Sequence, residues 1–165
     1  MEKSSFHSID TIDIKILNLL QRDAKMSIQS IADKVNMTKT PIYERIKKLE
    51  ENGVIEGYTA LVNPKKTVGG MFVFCSVSLD VQKIEEIETF KKAVRELPEV
   101  LECYLMGGAN DFLLKVMVAD LDAYHQFSSG KLAALNNVNQ IKSTFVLDVV
   151  KKANGIPLGS TINAK

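Results

Sequence analysis

The chain has 165 residues, 45% of them hydrophobic and 25% charged, with a formal net charge of +1. This length suits one domain or two small ones with compact cores. No apolar run approaches the roughly 20 residues of a membrane span, and the first residues lack the apolar core of a secretory signal. The two cysteines, Cys75 and Cys103, have neither disulfide nor metal-ligand spacing, so we expect a cytoplasmic protein with free thiols.

The first predicted element is a helix over about Ser8 to Arg22. Apolar residues recur there at helical spacing, at Ile12, Ile16, Leu19 and Leu20. This apolar stripe is expected to pack behind the next two helices and to complete a three-helix unit.

Residues 27–53 predict two short helices joined by a tight turn, the pattern of a helix-turn-helix. Ser27 and Thr38 are the expected N-caps, Asn36 is the expected left-handed residue of the turn, and Gly53 is placed to end the second helix. The inward stripes are Ile28, Ile31, Ala32 and Val35 on one helix and Ile42, Ile46 and Leu49 on the other. In such a motif the second helix enters the major groove of double-stranded DNA.

The segment from Lys25 to Lys48 carries an excess of four positive charges, which can neutralise several phosphates. Thr40 and Tyr43 are the candidates for reading bases, and Arg45, Lys47 and Lys48 for holding phosphates. Alternatives stay open, since Tyr43 can pack against the first helix and Arg45 can pair with Glu44, Glu50 or an acidic neighbour within the domain. The charged face can also be merely solvated. The complete expected interface is Ser27, Thr38, Lys39, Thr40, Tyr43, Glu44, Arg45, Lys47 and Lys48.

Residues 54–62 are rich in strand formers and predict a wing or a connecting strand. A break at 63–66 and the glycines after Val68 mark a flexible boundary. The predicted organisation is therefore a DNA-binding domain at 1–53, a connecting strand and hinge at 54–70, and a further domain at 71–165.

The further domain shows the order β-α-β-β-α-β, which is the ferredoxin-like arrangement and makes the chain an α+β protein. The predicted segments are 71–81, 83–97, 100–108, 111–119, 121–135 and 139–152. Both sets of alternating residues on the first strand contain large apolar side chains, for example Phe72 and Val73. Because two helices can cover only one face of the sheet, we expect the other face to pack against a second subunit.

Together these motifs resemble the Lrp/AsnC, or feast/famine, transcriptional regulators. The resemblance rests on S-I-x-x-I-A-x-K-V-x-M-T from Ser27, P-I-Y-E-R-I-K-K-L-E-E-N-G-V-I-E-G-Y-T-A-L-V-N-P from Pro41, and C-Y-L-M-G-G-A-N-D-F-L-L-K-V from Cys103. It extends from about Ile9 to Leu158, with motifs of both domains in the family's order. It implies a homodimer that assembles into octamers or higher forms, and amino acids or related metabolites as effectors.

The resemblance also implies an effector site between subunits at the loop Leu105, Met106, Gly107, Gly108, Ala109, Asn110 and Asp111. The glycines allow close backbone approach and unusual dihedral angles, and Asp111 can accept the ammonium group of an amino acid. The alternative is a plain hairpin turn in which Asn110 and Asp111 cap the chain reversal. The sequence departs from the family by having two adjacent glycines, and by having Phe112 where Tyr is commoner.

The motifs and the family resemblance are consistent with three functions. The leading one is a sequence-specific transcriptional regulator whose assembly or DNA binding is modulated by an amino-acid-like effector. The alternative is an architectural, nucleoid-type DNA-binding protein without an obligatory effector. An enzyme is the third, since some haem-pathway decarboxylases resemble this fold, but His7 and His125 are the only histidines. We expect no catalytic residues, no metal site and no cofactor.

Overall fold

The computed structural model describes residues 9–67, 69–153 and 155–159, and its contacts divide the chain into two compact units. The first, here called the head, contains the described residues up to Leu61 together with those from Lys151 onward. The second, the sheet domain, is Val62–Val150. The last domain was expected to extend to residue 165, but the described residues from Lys151 onward belong to the head. Leu158, for example, packs against the core of the head.

The head is built on helices α1 (Thr11–Arg22), α2 (Ile28–Val35) and α3 (Lys39–Glu51). The predicted start of the first helix at Ser8 lies outside the described residues. The helix begins after Asp10, whose carboxylate accepts hydrogen bonds from the backbone N–H groups of Ile12 and Asp13. The buried core of the head is Ile16, Leu17, Ile31, Ala32, Ile42, Ile46 and Leu49, so the predicted three-helix unit is confirmed.

The local signals at the turn are mostly confirmed. Ser27 Oγ accepts the backbone N–H of Ser30 at 3.2 Å, and Asn36 is left-handed with φ 56° and ψ 49°. Gly53, just after α3, has a φ of 68° that side chains with a Cβ rarely adopt. Thr38 stands at the predicted N-cap position of α3, although its side chain makes no capping hydrogen bond.

Residues 54–62 form neither the predicted wing nor a strand. The chain instead turns back at the end of α3, where the N–H groups of Val54 and Ile55 both donate to Leu49 O, at 2.9 and 3.0 Å. Both side chains are half-buried against the head core. A strand needs a paired neighbour, and the described residues provide none here. The short helix α4 (Pro64–Thr67) follows where only a break was predicted.

The sheet domain has the predicted β-α-β-β-α-β order. Its elements are β1 (Met71–Leu79), α5 (Ile84–Arg95), β2 (Val100–Leu105), β3 (Phe112–Val118), α6 (Leu121–His125) and β4 (Val138–Phe145). The strands lie in the order β2-β3-β1-β4 and every neighbouring pair is antiparallel. Helix α6 continues as a π-helical segment, Gln126–Leu132, across Gly130. Strand β4 ends at Phe145, seven residues before the predicted end at 152.

One face of the sheet carries the core. Val73, Cys75 and Val77 of β1 are fully buried there, and Phe90 of α5 and Phe127 of the π-helical segment pack on the same side. The alternate residues of β1 and β3 point to the opposite face, here called the open face, and are only half-buried. The apolar members of the open face are Phe72, Phe74, Leu113 and Met117. Within the described part of the chain, no helix is long and apolar enough to cross a membrane.

Candidate nucleic-acid interface and ligand loop

Helix α3 exposes one continuous polar face. Its residues project at about 100° per position, so Thr40, Glu44, Lys47 and Lys48 point away from the buried stripe of Ile42, Ile46 and Leu49. Tyr43 is 59% exposed, and the alternative that it packs against α1 is not what the structure shows. The predicted interface residues that are exposed are Ser27, Thr38, Lys39, Thr40, Tyr43, Glu44, Lys47 and Lys48.

Lys47 is well placed to meet a phosphate. Its side chain is 58% exposed, and its ion pair with Glu51 is long, 3.6 Å from Nζ to Glu51 Oε1. An exposed pair of this kind contributes only about 0–1 kcal/mol, so little opposes its exchange for a phosphate contact. Lys47 thus lies, exposed and weakly held, on the outward face of α3.

Arg45 differs from the other predicted interface residues. Its Nη1 lies 2.6 Å from Asp10 Oδ2 and 2.7 Å from Asp13 Oδ1, so the alternative of pairing with an acidic neighbour is the observed one. The hydrogen bonds to Asp13 and Asp10 raise the pKa of the Arg45 guanidinium. The backbone N–H of Asp13, and then Arg45, hold the pKa of Asp10 below its ordinary value of 3.8.

Two features near α3 and α1 were not foreseen. The Tyr58 hydroxyl donates to Glu50 Oε1 at 2.8 Å and ties the residues after α3 back to that helix. Partial burial, and then this hydrogen bond to a carboxylate, raise the pKa of Tyr58 to about 12. The sequence marks Tyr58 only as a good strand former, and no spacing rule links it to Glu50.

The second unforeseen feature is a C-terminal segment, residues 155–159, which lies along α1. The Ile156 N–H donates to Gln21 Oε1 at 2.6 Å, and Gln21 Nε2 donates to Ile156 O at 3.2 Å. Asn18 Nδ2 donates to Leu158 O at 3.3 Å. We call residues 155–159 the tail. Its apolar Ile156 and Leu158 are a weak signal, since nothing in the sequence names α1 as their partner.

The predicted effector loop connects β2 and β3. Its ends are joined by the Met106 N–H, which donates to Asp111 O at 2.8 Å, and Asp111 in turn donates its N–H to Val77 O at 3.0 Å. Asp111 Oδ2 accepts the N–H of Leu79 at 2.8 Å, and Asn110 Oδ1 accepts the Ser78 hydroxyl at 3.4 Å. The side chains of Asn110 and Asp111 therefore join the end of this loop to the end of the neighbouring strand β1.

The middle of this loop is open. Residues 105–109 are exposed, whereas Asn110 and Asp111 are half-buried. A Cβ built on Gly107 or Gly108 would meet nothing within 4 Å, and neither glycine is among those with positive φ. The expectation of unusual dihedral angles at these two glycines is wrong. What they provide is an uncovered stretch of backbone whose N–H groups are accessible to a ligand carboxylate.

The other chemistry-bearing side chains do not form a site. Cys75 is buried, which raises the pKa of its thiol, whereas Cys103 is exposed. Among the described residues, no group of three or more His, Cys, Asp or Glu could hold a metal ion. His125 is exposed on α6, and His7 lies outside the described residues.

A three-helix head whose third helix, α3, exposes a polar face with three lysines, combined with a four-stranded α+β domain, defines a two-unit DNA-binding protein. Comparison with known families agrees with this class. Residues 9–56 match the winged helix-turn-helix DNA-binding model, and residues 72–156 match the Lrp/AsnC ligand-binding domain. The chain belongs to the Lrp/AsnC family of transcriptional regulators, which confirms the resemblance seen in its motifs.

Similar proteins span nearly the whole chain. A leucine-responsive regulatory protein from Haemophilus influenzae is 40% identical over 158 residues, which covers 96% of this chain and 95% of that protein. The leucine-responsive regulatory protein of Escherichia coli K12 is 38% identical over 146 residues, covering 88% and 89%. The chain is thus a DNA-binding transcriptional regulator with the family's ligand-binding domain.

Solved structures confirm the α+β fold. A Neisseria meningitidis transcriptional regulator in complex with L-Met has a TM-score of 0.86 and 32% identity, covering 92% of this chain and 97% of that one. An AsnC family regulator from Agrobacterium tumefaciens has a TM-score of 0.85 and 37% identity, covering 90% and 97%. E. coli AsnC, at 22% identity and a TM-score of 0.80, shares the fold.

Proposed function

We propose that this regulator reads its DNA sites with the outward face of α3. The observation that supports this is the exposed cluster of Lys39, Thr40, Tyr43, Lys47 and Lys48 on one helix face, with the apolar face buried. Thr40 and Tyr43, in the first half of the helix, are proposed to contact base edges, as residues near the start of a recognition helix do. The lysines are proposed to contact phosphates, which fixes orientation without reading sequence.

The test is fluorescence anisotropy with a labelled duplex from the region upstream of the protein's own gene. Each phosphate contact contributes a slope of about −0.9 to log K against log salt, measured between roughly 50 and 200 mM. Lys47→Ala should weaken binding and make the slope shallower by about 0.9. Lys92→Ala, which removes an exposed charge from the sheet domain, is the matched control and should change neither. An unchanged slope in the Lys47 variant would remove that residue from the interface.

We further propose that an amino acid with an apolar side chain is the effector and that it binds at residues 105–111. The support is the open glycine backbone beside the half-buried Asp111, and the relatives, whose names refer to leucine and L-Met. The effector must bind one assembly or DNA-binding state better than another to act at all. L-Met and L-Leu are therefore added separately to the anisotropy assay. Binding to upstream DNA that ignores both would favour the architectural function or another effector.

The open face of the sheet domain is proposed to join two copies into a homodimer, and dimers into octamers or higher forms. Phe72, Phe74, Leu113 and Met117 give this face large half-buried apolar side chains. Lys115 lies among them and pairs with Glu102 at 2.6 Å, so the main charge of this surface is balanced. Sedimentation at micromolar concentration measures the assembly. A monomer under those conditions would contradict the proposal.

The domain roles follow from these sites. The helices of the head bind DNA, and the βαββαβ domain binds the effector and assembles. The family's members are transcription regulators, and we propose that this chain likewise has no catalytic activity and acts in the cytoplasm, where bacterial DNA is bound. An absorption titration with a tetrapyrrole tests the enzyme alternative, and spectral binding would reopen it.

A further inference from the structure

Arg45 lies on the flank of α3 and not on its outward face. At about 100° per residue it projects beside the buried stripe of Ile42 and Leu49, well away from Thr40 and Lys47. Its side chain is 29% exposed, against 58% for that of Lys47. Arg45 therefore belongs, by position, to the contact between helices and not to the surface that the lysines form.

The partners of Arg45 are the two carboxylates that cap α1. In each carboxylate one oxygen binds Arg45 and the other accepts backbone N–H groups. Asp10 Oδ1 accepts the N–H groups of Ile12 and Asp13, both at 2.8 Å, while its Oδ2 binds Arg45. Asp13 Oδ2 accepts the N–H of Asp10 at 3.1 Å, while its Oδ1 binds Arg45. All four oxygens are engaged, and Asp13 is only 4% exposed.

This cluster links α3 to the first turn of α1 with directional, charge-assisted bonds. Its net charge is negative, since two carboxylates surround one guanidinium. A DNA phosphate would have to compete with both carboxylates for Nη1 and would meet a net repulsion. The buried apolar contacts between α1 and α3 are non-directional, so they leave rotation of α3 less restricted than these bonds do.

We propose that Arg45 is a positioning residue for DNA recognition, which holds α3 at the angle that presents Thr40 and Tyr43 to the bases and makes no phosphate contact itself. This inference rests on the proposed function of α3 as the recognition helix. It corrects the sequence-based assignment of Arg45 to phosphate binding. Asp10 and Asp13, which cannot attract DNA, share its role.

The experiment compares Arg45→Gln, Asp13→Asn and the double variant with the wild type, on the upstream duplex and on a mixed-sequence duplex. We expect each single variant to weaken upstream binding on the order of tenfold, the equivalent of one charged hydrogen bond. The salt slope should stay that of the wild type, and mixed-sequence binding should change less. The double variant should be no weaker than Arg45→Gln alone, because that variant already removes the guanidinium that Asp13 binds.

A phosphate contact predicts the opposite pattern. The slope would then fall by about 0.9 in Arg45→Gln, and Asp13→Asn would bind DNA as well as or better than the wild type, because a negative charge is lost. Either result overturns the proposal. A different outcome is that the wild type itself does not prefer the upstream duplex to the mixed-sequence one. That result would refute sequence reading by α3, and the role proposed for Arg45 would fail with it.

Circular dichroism melts accompany these measurements, because Asp13 is buried and its variant can lose the fold. Asp10→Asn replaces it in that case, since the Asp10 side chain is 46% exposed. The proposal expects weaker upstream binding at an unchanged salt slope for this variant too. Unchanged affinity in a folded Asp10→Asn protein would contradict the proposal.

Discussion

Asp111 has a structural task in addition to the proposed effector contact, and two substitutions separate them. In Asp111→Ala the half-buried N–H of Leu79 loses its acceptor, which lies at 2.8 Å. Loss of a hydrogen bond to a charged group costs about 2 kcal/mol. In a domain the size of Val62–Val150 this lowers the melting temperature by roughly 8–16 °C. Asp111→Asn keeps a side-chain oxygen acceptor, so about half that loss is expected.

The effector response, unlike the stability, should be lost in both variants. The ammonium group of an amino acid requires the negative charge, so both substitutions should abolish the response of DNA binding to L-Met or L-Leu. Calorimetry at fixed protomer concentration measures stability, because assembly makes the melting temperature concentration-dependent. Anisotropy with and without each amino acid measures the response. An Asp111→Ala protein that melts like the wild type would refute the stabilising role of the Asp111–Leu79 hydrogen bond. An Asp111→Asn protein that still responds to the amino acids would refute the ammonium contact.

Three further predictions concern the head and the open face. Gln21→Ala, which removes both hydrogen bonds to Ile156, should destabilise the head by about 1 kcal/mol in a thermal melt, whereas Gln29→Ala on α2 should have little effect. The pKa of Asp10 is lowered in the folded state, so its stabilising contribution is present above the ordinary value of 3.8 and is lost as pH falls through the folded-state value. Asp10→Asn should therefore flatten the acid end of the stability profile below about pH 3.8. Phe74→Asp places a charge on the half-buried open face and should shift sedimentation at micromolar concentration towards monomer; an unchanged assembly would place the subunit interface elsewhere.

Periodicity predicted the elements of this fold because each is encoded locally. The stripe of Ile42, Ile46 and Leu49, the alternation along β1 and the Asn36 turn all depend on near neighbours in sequence. The effector loop was located through family resemblance, and the structure adds that the Asp111 side chain also binds the end of β1. What could not be predicted depends on distant partners.

Three examples show why distance limits prediction. Arg45 binds Asp10, which lies 35 positions away in the sequence. The composition of α3 is as consistent with a phosphate contact of Arg45 as with this ion pair. Gln21 meets Ile156 across 135 positions, and neither residue type indicates a partner. The strand formers of 54–62 have suitable propensity but no strand beside them among the described residues, and propensity alone does not form a sheet.

The tail makes the head a discontinuous domain, into which the 89 residues of Val62–Val150 are inserted. During synthesis the three helices emerge early, but the contacts of Gln21 and Asn18 with the tail can form only after the whole inserted domain has been made. Closing so long a loop costs chain entropy, and a folded insert reduces that cost by holding its two ends in fixed positions. Completion of the DNA-binding unit therefore has to wait until its own ligand-binding domain has been synthesised.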